Sequence, residues 1–119
     1  MPIKNFHVLS FKYAFEGLVQ ALKQEPNLKF HIIAAILAIA LSFFLNISKQ
    51  DWINVILLIG IVFSVELTNT AVETVVDAFT EAEHPGAKLA KDISAGAVLI
   101  AAITAAIAGI FIFWPYLTS

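Results

Sequence analysis

Residues 52–77 read WINVILLIGIVFSVELTNTAVETVVD. From Trp52 to Val65 the stretch is apolar apart from Asn54 and Ser64, long enough to enter a membrane as a helix. Glu66, Asn69, Glu73 and Asp77 then follow without any break in the helical pattern. At about 100° per residue, Glu66, Glu73 and Asp77 lie within about 20° of one line, with Asn69 about 60° to the side. A charge at the centre of a membrane helix costs about 2.5–3.5 kcal/mol. Three carboxylates kept on one face of such a helix are there to be used.

Working outward, the 119 residues suffice for one domain, and 60% are hydrophobic against only 13% charged. A soluble domain carries about 25% charged residues, and the mean hydropathy of +0.87 places this chain among membrane proteins. There is no cysteine, which excludes disulfides, thiolate metal sites and a thiol nucleophile. All seven cations are lysines, and the net charge of −2 gives no reason to expect a nucleic-acid partner. Met1 to Leu9 lacks the apolar core and cleavage site of a signal peptide, so the first apolar run is expected to be retained.

The pattern predicts an all-α integral membrane fold. His7 to Gln24 is amphipathic, with Phe11, Phe15, Leu18 and Leu22 on one face and Lys12, Glu16, Gln20 and Lys23 at polar positions. It is expected to lie in the membrane interface. Glu25-Pro26-Asn27 breaks the chain, and a first span runs from Leu28 to Leu45. A polar turn over 46–51 leads to a second span, from Trp52 as an interfacial anchor to Phe79. A polar loop from Glu81 to Lys88, with Pro85 and Gly86, precedes a third span from Leu89 to Tyr116. Ala97, Ala101, Ala105 and Gly109 recur at four-residue spacing there, a pattern that lets helices approach closely and predicts homo-oligomers.

Lysines set the orientation. Lys4, Lys12, Lys23 and Lys29 precede the first span or stand at its start, Lys88 and Lys91 flank the second connection, and only Lys49 falls on the first. The N-terminus and second connection are therefore expected in the cytoplasm and the C-terminus outside, in a plasma or inner membrane. Counting from Trp52, Glu66 lies about 21 Å along its helix and Asp77 about 37 Å, against a hydrocarbon core of about 30 Å. The carboxylates thus descend from lipid into the cytoplasm, where Lys88, Lys91, Asp92 and Glu25 stand at the same boundary.

Carboxylates with an amide oxygen suit a hard cation such as Mg²⁺, and a neighbouring lysine suits a phosphate oxygen. The combination suggests metal-assisted phosphoryl transfer. Neither a P-loop nor a kinase-type glycine-rich loop occurs in the sequence, so any nucleotide site is unconventional. His31 reads as a headgroup-level or packing residue and Tyr13 as an interfacial aromatic. Two other readings stand beside the kinase one. An ion or proton pathway lined by Glu66, Glu73 and Asp77 would need polar groups continuing outward, where only Asn54 and Ser64 occur. A purely structural subunit would not need Glu25, Lys91 and Asp92 gathered at one depth.

Three motifs resemble those of the small prokaryotic integral-membrane diacylglycerol kinase family, which includes undecaprenol kinases. They are SFKYAFEGL at 10–18, the E-x-x-N-x-x-x-E-x-x-x-D pattern at Glu66, Asn69, Glu73 and Asp77, and AKD at 90–92 followed by AGAVL at 95–99. The resemblance implies a homotrimer with a surface helix and three transmembrane helices per subunit, and active sites shared between subunits. It implies MgATP as phosphoryl donor and a lipid alcohol as acceptor, with diacylglycerol giving phosphatidic acid as the first expectation and undecaprenol as the alternative. By position, Glu66 matches the catalytic base and Asn69 the residue that orients the catalytic groups. Glu25 and Glu73 match the metal ligands. Lys91, Asp92, Tyr13 and His84 match nucleotide contacts, with Asp77 supporting the nucleotide side. The chain departs from the pattern at Glu83, where many relatives carry an aromatic, and in lacking arginine; Lys29 stands where a basic residue is common.

Overall fold

The computed structural model describes residues 6–80 and 84–119; Lys4, Glu81 and Glu83 lie outside them. The described chain is entirely helical. Helix α1 spans Phe6–Gln24, α2 Pro26–Leu45, α3 Lys49–Phe79 and α4 Pro85–Leu117. At 1.5 Å per residue, the 20 residues of α2 match the thickness of a hydrocarbon core. The 31 and 33 residues of α3 and α4 exceed it. These three helices are long and apolar enough to cross a membrane.

Each boundary has a local cause. Glu25 adopts an extended conformation and Pro26 occupies the first turn of α2, where its missing N–H costs nothing. At the other end Asn46 takes the left-handed conformation (φ 52°, ψ 52°). Its N–H donates to the Phe43 carbonyl and that of Ile47 donates to the Ser42 carbonyl, closing the helix with the two bonds of a Schellman motif. Ile47 is buried, as the apolar residue after such a cap commonly is. Ser48 immediately caps α3, its Oγ accepting from the Asp51 N–H at 3.1 Å, so α3 starts at Lys49 rather than at Trp52.

The start of α4 corrects the expected loop. Helix begins at Pro85, not near Leu89, because His84 acts as the cap and Pro85 supplies the first turn. His84 Nδ1 accepts from the Ala87 N–H at 3.2 Å. The imidazole folds over Gly86 so closely that a Cβ there would sit 3.1 Å from its Cε1, and a side chain at 86 would have to push the ring aside by a few tenths of an ångström.

Helices α3 and α4 pack against each other most extensively, with α2 laid against α3 and α1 touching the start of the bundle. The far ends are pinned by Tyr116. Its hydroxyl donates to Asp51 Oδ2 at 2.5 Å and accepts from the Ser48 N–H at 3.0 Å, which ties the end of α4 to the α2–α3 turn. Little else is buried: Ala21, Leu28, Ile47, Val55 and Val62 form the apolar interior, and α4 has no fully buried residue. Phe11 and Phe15 on α1, Phe30, Leu37 and Phe44 on α2, and Ile100 and Phe111 on α4 are all exposed. An apolar exterior of this extent fits lipid or other protein copies, not water. Serine and threonine hydroxyls satisfy themselves against the backbone one turn earlier, as Ser42 does on Ala38, Thr70 on Glu66 and Thr74 on Thr70.

Candidate active site

The α3 stripe survives folding as a gradient of burial. Glu66 is only 1% exposed, Asn69 and Glu73 are partly buried, and Asp77 is exposed. Helix α2 covers Glu66, and its His31 brings Nε2 to 3.5 Å from Glu66 Oε2. That is ion-pair distance without hydrogen-bond geometry: Oε2 has no hydrogen-bond partner, and neither has Asn69 Oδ1. Among the described residues these are the only buried side-chain polar atoms left unpartnered. An unpaired buried acceptor costs about 1–3 kcal/mol. Two of them, three residues apart on one helix, offer acceptors that a donor or a cation could use.

One turn further on, Asn69 Nδ2 donates to Glu73 Oε1 at 3.0 Å, which fixes both side chains and leaves the second Glu73 oxygen open. At the end of the stripe, Lys91 Nζ on α4 meets Asp77 Oδ1 on α3 at 2.9 Å. Lys88 Nζ pairs with Asp92 Oδ2 at 2.6 Å along α4. Both pairs are solvent-exposed, so each is worth about 0–1 kcal/mol and exchanges readily with another anion or cation.

The remaining candidates stand apart. Glu25 is the N-cap residue of α2 but makes no side-chain capping bond, which leaves its carboxylate uncommitted. Tyr13 is exposed on α1 and makes no side-chain hydrogen bond among the described residues. His84 serves as the α4 cap through Nδ1. No three histidine, aspartate or glutamate side chains among the described residues converge on a metal position. The structure therefore brings together Asn69 with Glu73, Asp77 with Lys91, and Glu66 with His31, but not Tyr13, Glu25 or His84.

His31, which the sequence suggests as a headgroup-level or packing residue, stands instead beside Glu66. A signal existed: α2 and α3 form an antiparallel hairpin about the turn near Ile47, and His31 and Glu66 lie at similar sequence distances from it. The second unforeseen feature is an apolar cavity of about 320 Å³ between α2, α3 and α4. His31 and Phe30 stand at one end, Val55 and Phe113 toward the other, and small residues including Ala38, Ala105 and Gly109 make the room. Along α4 it extends from Ala102 to Phe113, about 16 Å at helical rise. Ala105 and Gly109 of the small-residue pattern line this half-open groove, and a Cβ on Gly109 would meet nothing within 4 Å.

Comparison with known proteins finds relatives of one family. The family model described as prokaryotic diacylglycerol kinase matches residues 12–113. The undecaprenol kinase of Bacillus subtilis is 43% identical over 108 residues, covering 91% of this chain and 88% of that protein. A diacylglycerol kinase of Synechocystis is 36% identical over 113 residues, 94% of this chain and 65% of its own length. The diacylglycerol kinase of Haemophilus influenzae is 38% identical over 92 residues, 77% of this chain and 78% of that protein.

Proposed function

The chain belongs to the prokaryotic diacylglycerol kinase family and is a multi-pass membrane lipid kinase, and from that premise we propose that it transfers the γ-phosphoryl of MgATP to the hydroxyl of a long-chain polyprenol such as undecaprenol. One observation carries this reading: the buried Glu66 carboxylate, with an unpartnered oxygen, beside the His31 end of an apolar cavity. A lipid alcohol is apolar along its body and polar at one atom. The cavity suits the first and Glu66 the second. The 43% identity to an undecaprenol kinase exceeds that to either diacylglycerol kinase named above, which favours a single-chain alcohol.

In this reading Glu66 takes the hydroxyl proton as the oxygen attacks phosphorus. Asn69 holds Glu73 in place through its amide. Glu73, with one oxygen open beside the unpartnered Asn69 amide oxygen, would hold Mg²⁺; Glu25 would complete the set, although the single chain does not bring it to Glu73. When bound, that ion supplies charge neutralisation to the phosphates. Lys91 leaves Asp77 for a phosphate oxygen, an exchange that the exposed pair permits at little cost. Asp92, Tyr13 and His84 complete the nucleotide side, His84 through the nitrogen that does not cap α4.

The lysine distribution supports a cytoplasmic N-terminus and active site with the C-terminus outside. The exposed apolar residues of α1 support its placement in the membrane interface. Those of α2 and α4 leave surface for lipid or for further copies of the chain, and the homotrimer that the family resemblance implies is part of this proposal. An ion pathway finds no continuation, because the space beyond Glu66 is lined by apolar side chains.

Diacylglycerol is the second reading, favoured by the names of the Synechocystis and Haemophilus relatives. The test is transfer of labelled γ-phosphate from ATP to each lipid in mixed micelles by the purified protein. Faster phosphorylation of undecaprenol supports the polyprenol reading. Preference for diacylglycerol reverses it, and no product with either overturns the lipid-alcohol reading altogether.

A further inference from the structure

We propose that His31 is the positioning residue for Glu66, holding one carboxylate oxygen so that the other faces the lipid hydroxyl at the end of the apolar cavity. The inference rests on the reading of Glu66 as the proton acceptor. Its observations are geometric. His31 comes from α2 and Glu66 from α3, with Nε2 and Oε2 3.5 Å apart and both side chains largely buried. Oε2 has no other partner. Among the described residues that line the cavity, His31 alone has a polar side chain; Val62 on α3 and Ala102, Ala105 and Gly109 on α4 offer neither charge nor hydrogen bond. Among the described residues no other side chain bonds the carboxylate.

A separation of 3.5 Å is too long for a good hydrogen bond, and a carboxylate so held is under-constrained. Catalytic hydrogen bonds are often long before substrate arrives and tighten in the productive complex. A small movement of either side chain lets the His31 Nε2–H donate to Oε2. Glu66 then presents Oε1 to the hydroxyl. As the bond from the lipid oxygen to the γ-phosphorus forms and the bond from phosphorus to the bridging oxygen breaks to release ADP, the hydroxyl proton passes to Glu66. His31 neither gains nor loses a proton in this step. It fixes the plane of the carboxylate, and a misplacement of about 1 Å at such a position costs on the order of 100-fold in rate.

The test uses the purified full-length protein with three variants, His31→Ala, His31→Gln and Glu66→Gln. With MgATP and whichever lipid alcohol the wild type phosphorylates, His31→Ala should lower kcat about 100-fold while KM for ATP stays within about twofold. His31→Gln, which keeps an N–H donor at similar reach, should recover at least about a tenth of wild-type kcat. A histidine that merely fills space would show no such rescue by a donor. Unchanged kcat in His31→Ala, or equal loss in the two variants, overturns the proposal. A second measurement needs no turnover: in protein with ¹⁵N-labelled histidine, the imidazole signal lost in His31→Gln should move in Glu66→Gln. If it stays in place the pair does not exist, whatever lipid is phosphorylated. If the signal moves but the wild type phosphorylates no lipid alcohol, the pair stands while the assigned reaction, and with it the positioning role, falls.

Discussion

Replacing Glu66 by glutamine should leave a protein that is at least as stable and almost inactive. The side chain is 1% exposed and its Oε2 lacks a hydrogen-bond partner. A carboxylate in that position carries a desolvation penalty of several kcal/mol, against which His31, at 3.5 Å and without hydrogen-bond geometry, offers only partial relief. Glutamine has nearly the same shape, so packing against α2 is retained, and it removes the charge. Its amide can also donate to the imidazole. Relief of even part of an orphan's cost, about 1–2 kcal/mol, should raise the melting temperature in detergent by a few degrees. The same change removes the proposed proton acceptor, worth about 10²–10⁴ in rate, or about 3–5 kcal/mol of barrier. The two measurements are thermal unfolding of the detergent-solubilised protein and transfer of labelled phosphate to lipid. Near-normal transfer would refute the role of Glu66. A lower melting temperature would refute the argument that the carboxylate is held at the expense of stability.

Tyr116→Phe should have the opposite signature. It removes the hydroxyl that bridges Asp51 and the Ser48 N–H at the far end of the bundle, costing about 1–3 kcal/mol in thermal unfolding, with kcat unchanged. Lys91→Ala breaks an exposed pair with Asp77 and should barely alter stability, but loss of a charged hydrogen bond to phosphate, about 1.5–3 kcal/mol, should raise KM for ATP at least about tenfold. An unchanged KM in steady-state kinetics counts against Lys91 as a phosphate contact. Gly109→Leu places a side chain into open space lining the cavity. It should fold normally and slow phosphorylation of long-chain alcohols more than of a short-chain analogue, and equal effects on the two would mean that the cavity does not receive the lipid chain.

What the sequence revealed and what it hid divide along physical lines. The stripe of Glu66, Asn69, Glu73 and Asp77 was legible because helical periodicity is local and because charge in an apolar run is conspicuous. The hydrogen bond from Asn69 to Glu73 follows from the same spacing, four residues being one turn. His31 was not legible as a partner of Glu66, because the contact depends on how two helices meet, and a histidine near a helix start has many uses. The start of α4 was misread because Pro85 and Gly86 look like a loop. Proline at a first helical position and glycine beneath a capping imidazole are equally good helix-start residues once His84 is recognised as the cap. Tyr116 reads in the sequence as the end of the third span, and its role in tying α4 to the α2–α3 turn lies in a hydroxyl whose partners are far away in sequence.

The economy of the site follows from the reaction. Phosphoryl transfer asks for positioning and electrostatics more than for covalent chemistry from the protein, so one helix can supply most of what is needed. Along α3, Glu66 and Glu73 are separated by about 10 Å and Glu73 and Asp77 by about 6 Å at helical rise. In that span the helix passes from full burial to exposure. On the proposed reading, a co-substrate that cannot leave lipid and one that cannot enter it would meet where the two environments adjoin, between Glu66, the proposed base, and the partly exposed Glu73. Asn69 lies between them, bonded to Glu73 and with an unpartnered oxygen on its other side: if it couples the two halves, Asn69→Ala should change the metal requirement and the rate together, whereas a change in only one would mean that the halves work independently.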